Sequence, residues 1–140
     1  MNMEPPQDYQ EQIMKFRYFK EQRDMFQGQL EILNASLANI LNTKTTIENI
    51  KTEVKDNDEI LVPIGGLANI KASILNSEKI LLAITQDVVI EKDLESTIEF
   101  LDKLVEQHNK QIEFMKTQLQ NLDYNLQETS RIVQQGLSQK

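Results

Sequence analysis

The sequence predicts a mainly helical α+β protein, in which a long antiparallel two-helix coiled coil carries two β-hairpins at its centre. Three observations support this fold. Four glycines and three prolines in 140 residues leave few turns. Two long segments repeat apolar residues in alternating steps of three and four, which is typical of coiled coils. Between them, a short segment alternates apolar and polar residues, which is typical of strands.

The first helix is predicted over residues 8–55. Asp8 follows two prolines and is a candidate N-cap, with Glu11 three residues further on. Alternating steps of three and four from Phe16 to Val54 meet twelve positions, of which nine are apolar. The other three are basic residues whose long stems can lie along the seam while their charges reach water: Arg23, Lys44 and Lys51.

The second helix is predicted over residues 93–137, with Asp93 as its N-cap. The same steps from Leu94 to Gly136 meet thirteen positions, ten of them apolar. A 3-4 repeat sustained over about six heptads indicates a coiled coil, because a straight buried helix drifts out of phase over that length. At about 1.5 Å per residue, the two helices would each reach roughly 65–70 Å.

Residues 56–92 have a different pattern. Apolar and polar residues alternate over 68–74, a second apolar run covers 80–84, and Asn76-Ser77 separates the two halves. This pattern predicts four short strands in two hairpins. Because the hairpins return the chain, the helices should be antiparallel.

The predicted helix register pairs seam residues whose numbers sum to 148 or 149. Leu30 would then lie opposite Leu119, and His108 opposite Ile40. His108 is the only histidine in the chain, so a structural polar layer is preferred to a metal or catalytic role.

The two hairpins cannot bury their apolar surface within one chain, and their edge strands would be exposed. Closing them into a β-barrel with other subunits removes both problems, so the middle segment is predicted to be an assembly module. The candidate oligomerisation residues are Ile60, Val62, Ile64, Ala68, Ile70, Ala72, Ile74, Ile80, Leu82, Ile84, Val88 and Ile90.

The order helix, two hairpins, helix resembles the α-class subunit of prefoldin, in its archaeal form. The likeness covers nearly the whole chain, as a single domain over residues 1–140. It is most specific at three short stretches: 61–65, 70–72 and 89–92. The chain departs from the family at the last hairpin turn, where the family commonly has glycine and Thr85-Gln86-Asp87 stands here.

The resemblance implies a complex of two α and four β prefoldin subunits, joined through the hairpins into a double β-barrel. It implies an ATP-independent holdase that captures unfolded polypeptides near the coiled-coil tips and delivers them to a group II chaperonin. No cofactor is implied. The alternative is a structural coiled-coil scaffold or tether that binds one fixed partner, and the two differ in whether many unfolded proteins are bound or one folded protein.

The sequence independently places apolar residues at the tips, where both termini lie. Four of the eight aromatic residues fall within the first nineteen positions. Exposed apolar and flexible side chains suit promiscuous binding, although a broad seam or a fraying helix end would give the same pattern. The candidate client-binding residues are Tyr9, Ile13, Met14, Phe16, Tyr18, Phe19, Ile132, Val133 and Leu137.

Several classes of function are excluded or disfavoured. A net charge of −7 without a basic block disfavours nucleic-acid binding, and no apolar run approaches the roughly 20 residues that span a membrane. Without cysteine, thiolate metal sites and cysteine nucleophiles are excluded. The acidic stretch 56–59 lacks the glycine of a calcium loop, and the sequon at Asn34 is interpreted as chance. We expect a cytoplasmic protein without catalytic or metal-binding residues.

Overall fold

Two long helices flank four short strands in the computed structural model, which describes residues 7–138 and their side chains as far as Gly136. The elements group into two compact units: a terminal unit (7–36 with 108–138) and a central unit (37–107). In chain order the elements are α1 Gln7–Glu53, β1 Glu59–Pro63, β2 Asn69–Ser73, β3 Lys79–Ala83, β4 Val89–Asp93 and α2 Leu94–Ser138.

The N-cap predicted for the second helix is confirmed. The Ser96 backbone N–H donates to Asp93 Oδ1 at 2.7 Å, and this bond holds the pKa of the Asp93 carboxyl below its ordinary value. The prediction for Asp8 is wrong, since Asp8 lies inside the first turn of α1. There its negative charge still complements the helix dipole.

Both hairpins form as predicted, and each is a separate two-stranded antiparallel sheet. Val62 lies opposite Ile70 in the first hairpin, and Leu82 lies opposite Ile90 in the second. Because side chains alternate along a strand, the even-numbered apolar positions of each hairpin share one face. The predicted oligomerisation residues within the strands therefore lie on that face.

Both hairpin turns are closed by an equivalent backbone hydrogen bond, which in the second turn runs from the Ile84 N–H to the Val88 carbonyl at 2.9 Å, but they differ within it. In the first turn, the Ile64 N–H donates to the Ala68 carbonyl at 2.9 Å, and Gly65 has a φ of 127°. In the second turn, the Thr85 hydroxyl oxygen accepts the Val88 backbone N–H at 3.1 Å, and no residue there has a positive φ. A threonine side chain thus takes part in this turn, where the resemblance to prefoldin implies a glycine.

Gly65 is expected to be much less tolerant of substitution than its neighbour. A side chain at a φ of 127° is strained, so Gly65→Ala should lower the free energy of unfolding by roughly 1–3 kcal/mol. Gly66→Ala is the matched control, because its Cβ would meet no atom within 4 Å and its φ is not positive. Thermal unfolding of the two variants checks this, and equal midpoints would contradict it.

The acidic stretch that follows α1 is bonded to the turn between the two hairpins. The Ser77 backbone N–H and hydroxyl both donate to Asp56 Oδ1, at 2.7 and 2.9 Å. These bonds hold the pKa of Asp56 below its ordinary value of 3.8. The turn between the hairpins is thereby fixed to the link that precedes β1.

Stability is expected to decline in acid because of these two carboxyls. The pKa values of Asp56 and Asp93 are lower in the folded state than their ordinary value of 3.8. Their contribution is present above that value and is lost as the pH falls through the folded-state pKa values. Asp56→Asn should flatten the decline in melting temperature between about pH 5 and about pH 3. An equally steep decline in the variant would show that Asp56 does not contribute.

The central unit has an apolar cluster where α1 faces the start of α2. Ile47, Leu94 and Leu101 are buried at its centre. Ion pairs flank it, from Lys44 Nζ to Asp102 at 2.6 Å and from Lys51 Nζ to Glu95 at 3.2 Å. Asp102 raises the pKa of Lys44 by accepting its hydrogen bond. The residues packed around the cluster are Ile40, Ile50, Ile80, Ile98, Phe100 and Leu104.

The terminal unit is held by a similar seam, in which Leu30, Ile112 and Leu119 are buried. Its polar layer lies between Ser36 Oγ and His108 Nε2, which are 2.9 Å apart. The prediction that His108 forms a polar layer is confirmed, but its partner is Ser36. Ser36 belongs to the sequon and is engaged in the seam.

The predicted helix register is wrong by about three residues. Contacts across the seam join residues whose numbers sum to 144 to 146, not to 148 or 149. In the terminal unit these are Ser36 with His108, Tyr9 with Gly136 and Arg23 with Asp123. In the central unit, the residue numbers of both interhelical ion pairs, Lys44 with Asp102 and Lys51 with Glu95, sum to 146. The physical reason is that the two 3-4 repeats run in opposite directions in antiparallel helices. Their seam positions stay aligned when a three-residue interval on one helix lies opposite a three-residue interval on the other.

Candidate binding surfaces

The ends of the two helices in the terminal unit expose large apolar side chains. Met14 is 71% exposed, Tyr18 58% and Ile132 40%. The Tyr18 ring stands edge-on to Phe19, with ring centroids 5.8 Å apart. Of the other predicted tip residues, four are half-buried in or beside the seam: Ile13, Phe16, Phe19 and Val133. The candidate residues therefore divide into an exposed set and a supporting set.

Tyr9 is held against the other helix. A Cβ built on Gly136 would lie 2.8 Å from Tyr9 Cδ2, so the ring covers the space that glycine leaves open. Tyr9 is accordingly half-buried rather than fully exposed. The side chain of Leu137, the remaining predicted residue, lies outside the described part of the chain.

Two glycine substitutions in the terminal unit should have opposite consequences. Gly28 is in α1 with nothing within 4 Å of a built Cβ, so Gly28→Ala should stabilise the protein by roughly 0.5–1 kcal/mol through helix propensity. Gly136→Ala should give no such gain, because its methyl group displaces the Tyr9 ring. Denaturant unfolding of both variants measures the difference. If Gly136→Ala stabilised the protein as much as Gly28→Ala, the Tyr9 ring would move aside without a cost in stability.

The hairpins form a second apolar surface, in the central unit. On the even-numbered face, Ile64 and Ile70 are 61% and 53% exposed, and Val62 and Ile84 are also exposed. Others on that face are half-buried: Ile60, Ala72, Ile74, Ile80, Leu82 and Ile90. The opposite face carries charged residues but also exposes Leu61 and Leu81. Exposed apolar area of this kind is typical of interaction surfaces.

Sequence reasoning missed five exposed apolar residues on the helices: Met25, Ile32, Leu41, Phe114 and Tyr124. Ile32 and Phe114 flank a groove of about 510 Å³ between the helices of the terminal unit. They lie outside the apolar seam, which is why a search along the seam passed over them. The sequence did contain a signal for them, namely apolar residues at helix positions that do not belong to the seam.

Two other kinds of site concern metal ions and membranes. Among residues 7–138, no group of three or more His, Asp or Glu residues could hold a metal ion. No helix within that range is long and apolar enough to cross a membrane.

Comparison with known proteins gives the relationship of the whole chain. The family model described as "Prefoldin subunit" matches residues 19–139. The chain belongs to the prefoldin family. The resemblance seen in the hairpin sequences is thus confirmed.

Curated prefoldin subunits from archaea are similar over most of their length. Prefoldin subunit alpha of Methanococcus maripaludis strain C5 is 31% identical over 114 residues, which cover 81% of this chain and 76% of that protein. Prefoldin subunit alpha 1 of Methanocaldococcus jannaschii is 32% identical over 104 residues, covering 74% and 70%. Prefoldin subunit alpha of Pyrococcus horikoshii is 25% identical over 121 residues, covering 86% and 82%. The α-class assignment is supported by all three.

A solved structure shares the fold. The filamentous prefoldin of Methanocaldococcus jannaschii, determined by electron cryomicroscopy, superposes with a TM-score of 0.70 at 16% identity. The match covers 82% of this chain and 94% of that one. The predicted fold class, mainly helical α+β with two central hairpins, is therefore confirmed.

Proposed function

We propose that this prefoldin chaperone subunit acts as an ATP-independent holdase within a hexamer of two α and four β subunits. The observation that supports this most directly is the pairing of two separate apolar surfaces on one chain. One lies on the hairpins and the other at the helix ends. The hairpin surface would account for assembly, and the exposed surface at the helix ends would account for the capture of clients.

The hairpins are the proposed assembly surface. Each is a two-stranded sheet with open edges and an apolar face that is partly exposed and partly half-buried, and such a sheet is marginal in water by itself. Joining hairpins from other prefoldin subunits into a β-barrel would bury the even-numbered face and pair the edges. The residues on that face are the ones predicted from the sequence.

The helix ends are the proposed client-binding surface. Met14, Tyr18 and Ile132 combine a flexible thioether, an amphipathic ring and an aliphatic chain, all exposed. Such side chains adapt to apolar segments of differing shape. Tyr9 and Val133 would support them from the seam.

Capture of this kind requires neither nucleotide nor catalysis. Binding depends on apolar area, and release would follow when a group II chaperonin or the client's own folding competes for the same segments. We accordingly propose a non-enzymatic, cytoplasmic subunit whose partners are prefoldin β subunits, unfolded clients and the chaperonin.

Purification of the complex from its native cells tests the proposal. We expect an assembly of about 90 kDa that contains a second, smaller coiled-coil chain, since six chains of this size class would give that mass. The same complex should slow the aggregation of several unrelated unfolded proteins at stoichiometric amounts without nucleotide. Binding of a single folded protein, with no effect on the unfolded ones, would support a scaffold instead.

A further inference from the structure

One side of the terminal unit is almost free of charge. On α1, the exposed apolar residues Tyr18, Met25 and Ile32 follow one another at intervals of seven. Gln22 and Gln29 lie between them and the seam. On α2, the positions that face the same side are Gln111, Phe114, Gln118, Asn121 and Asn125. We call this set of ten residues the amide face.

The opposite side of the same stretch is charged. Lys20, Arg23 and Asp123 line a second groove there, and the Arg23 guanidinium contacts the Asp123 carboxylate at 2.8 Å. The heptad positions place further charged residues on that side: Arg17, Asp24 and Glu31 on α1, and Glu113 and Lys116 on α2. The coil is therefore polarised across its width, and of the ten residues of the amide face only Tyr18 also belongs to the proposed tip surface.

The amide face is also indented. Ile32 and Phe114, which are 71% and 56% exposed, stand on either side of the groove of about 510 Å³. Leu33 and Met115 lie deeper in it, and Lys110 is the one charged residue among the described residues that line it. A depression between two helices, floored by seam residues, has the form of the hole that receives a side chain from a further helix.

The seven-residue spacing decides what kind of chain fits. Seven helical residues advance about 10 Å, so a second helix with a heptad repeat keeps its apolar stripe in step with Tyr18, Met25 and Ile32. An extended chain covers the same distance in about three residues, and an odd number of residues turns alternate side chains to the opposite face. A helix therefore matches this face, and a strand does not.

We propose that the amide face is a docking site for an amphipathic helix of a partner protein. Its apolar side chains would recur at seven-residue intervals, and its flanking residues would be polar but uncharged. Glutamine and asparagine side chains on both partners would exchange hydrogen bonds, and among the residues that line the groove only the Lys110 ammonium would have to stay in water. The stretch from Tyr18 to Ile32 spans about 21 Å, which is enough for a helix of about fifteen residues.

The proposal is tested with a labelled helical peptide and the full-length chain. The peptide has about 18 residues of alanine and glutamine, with leucine at the two core positions of each heptad. The comparison peptide has the same composition with its leucines distributed around the helix. We expect fluorescence anisotropy to show binding of the patterned peptide at least about tenfold tighter than binding of the other.

Substitutions locate the binding. Met25→Glu and Ile32→Glu should each weaken binding by at least about tenfold, because the docked helix would desolvate the new carboxylate. The matched controls are Gln27→Glu and Gln120→Glu, which add the same charge at exposed positions on the other side of the coil and should leave binding unchanged.

Three results would overturn the proposal. Equal affinity for the two peptides would show that apolar area alone is recognised. Full binding by Met25→Glu and Ile32→Glu would place the peptide elsewhere. A change in the sedimentation of the peptide-free chain in these variants, with no change in the controls, would show that the face is a contact between copies of this chain.

Discussion

Replacing Ile70 with glutamate is expected to leave the chain folded and to abolish its assembly. Ile70 is 53% exposed and lies opposite Val62 on the even-numbered face of the first hairpin. In the proposed barrel both side chains become buried, which contributes roughly 1.5–3 kcal/mol for each that is fully covered. Losing one of these contributions, and burying a carboxylate in its place, should weaken each subunit contact by about a hundredfold or more.

Asn69→Glu is the matched control for this prediction. It adds the same charge at the adjacent residue, on the opposite face of the same strand. Circular dichroism should give the same helix content for both variants, and sedimentation should show the assembly only in the control. If Ile70→Glu assembled like the parent chain, the even-numbered face would not be the contact surface.

The second large effect is expected at the helix ends. Replacing Met14, Tyr18 and Ile132 together with serine should raise the amount of complex needed to suppress aggregation by about tenfold or more, because the most exposed apolar area of the tip is removed. All three are exposed and lie away from the buried seam, so the melting temperature and the oligomeric state should change little.

A neutral control exists on the same helices. Glu11 and Lys15 form an exposed ion pair in α1, and Gln134 is exposed in α2. Serine at these three positions alters as many residues without changing the net charge or the apolar surface. Aggregation of two unrelated unfolded proteins, followed by light scattering, compares the sets. Equal suppression by both triple variants would remove the tip from the proposed mechanism.

The sequence predicted the elements well because each carries its own local signal. The strand alternation around Ile70 identified the face that the hairpin pairing confirms. The sequence predicted Asp93 as a helix cap because it stands just before a heptad repeat. The structure shows the Ser96 N–H donating to its carboxylate, as a cap requires. Asp8 had the same signal but lies within the helix, since a cap residue marks a helix start only approximately.

The pairing between distant segments could not be predicted in the same way. A heptad pattern identifies which side chains of each helix face the seam, but several alignments of the two helices bury them equally. The contacts that distinguish the alignments involve polar residues, such as His108 with Ser36 and Arg23 with Asp123. The contact between the Tyr9 ring and Gly136 could not be predicted from local sequence either, because the two residues are over a hundred positions apart.

The absence of any linker between β4 and α2 has a mechanical consequence. Asp93 is both the last residue of the strand and the cap of the helix, so a rotation of β4 must turn the first residues of α2 with it. At the other side of the hairpins, the five residues 54–58 separate α1 from β1, and Asn57 there has a φ of 69°. A rotation of the second hairpin would thus be passed directly to the first turn of α2, whereas the five-residue link would let the first hairpin turn without turning the end of α1.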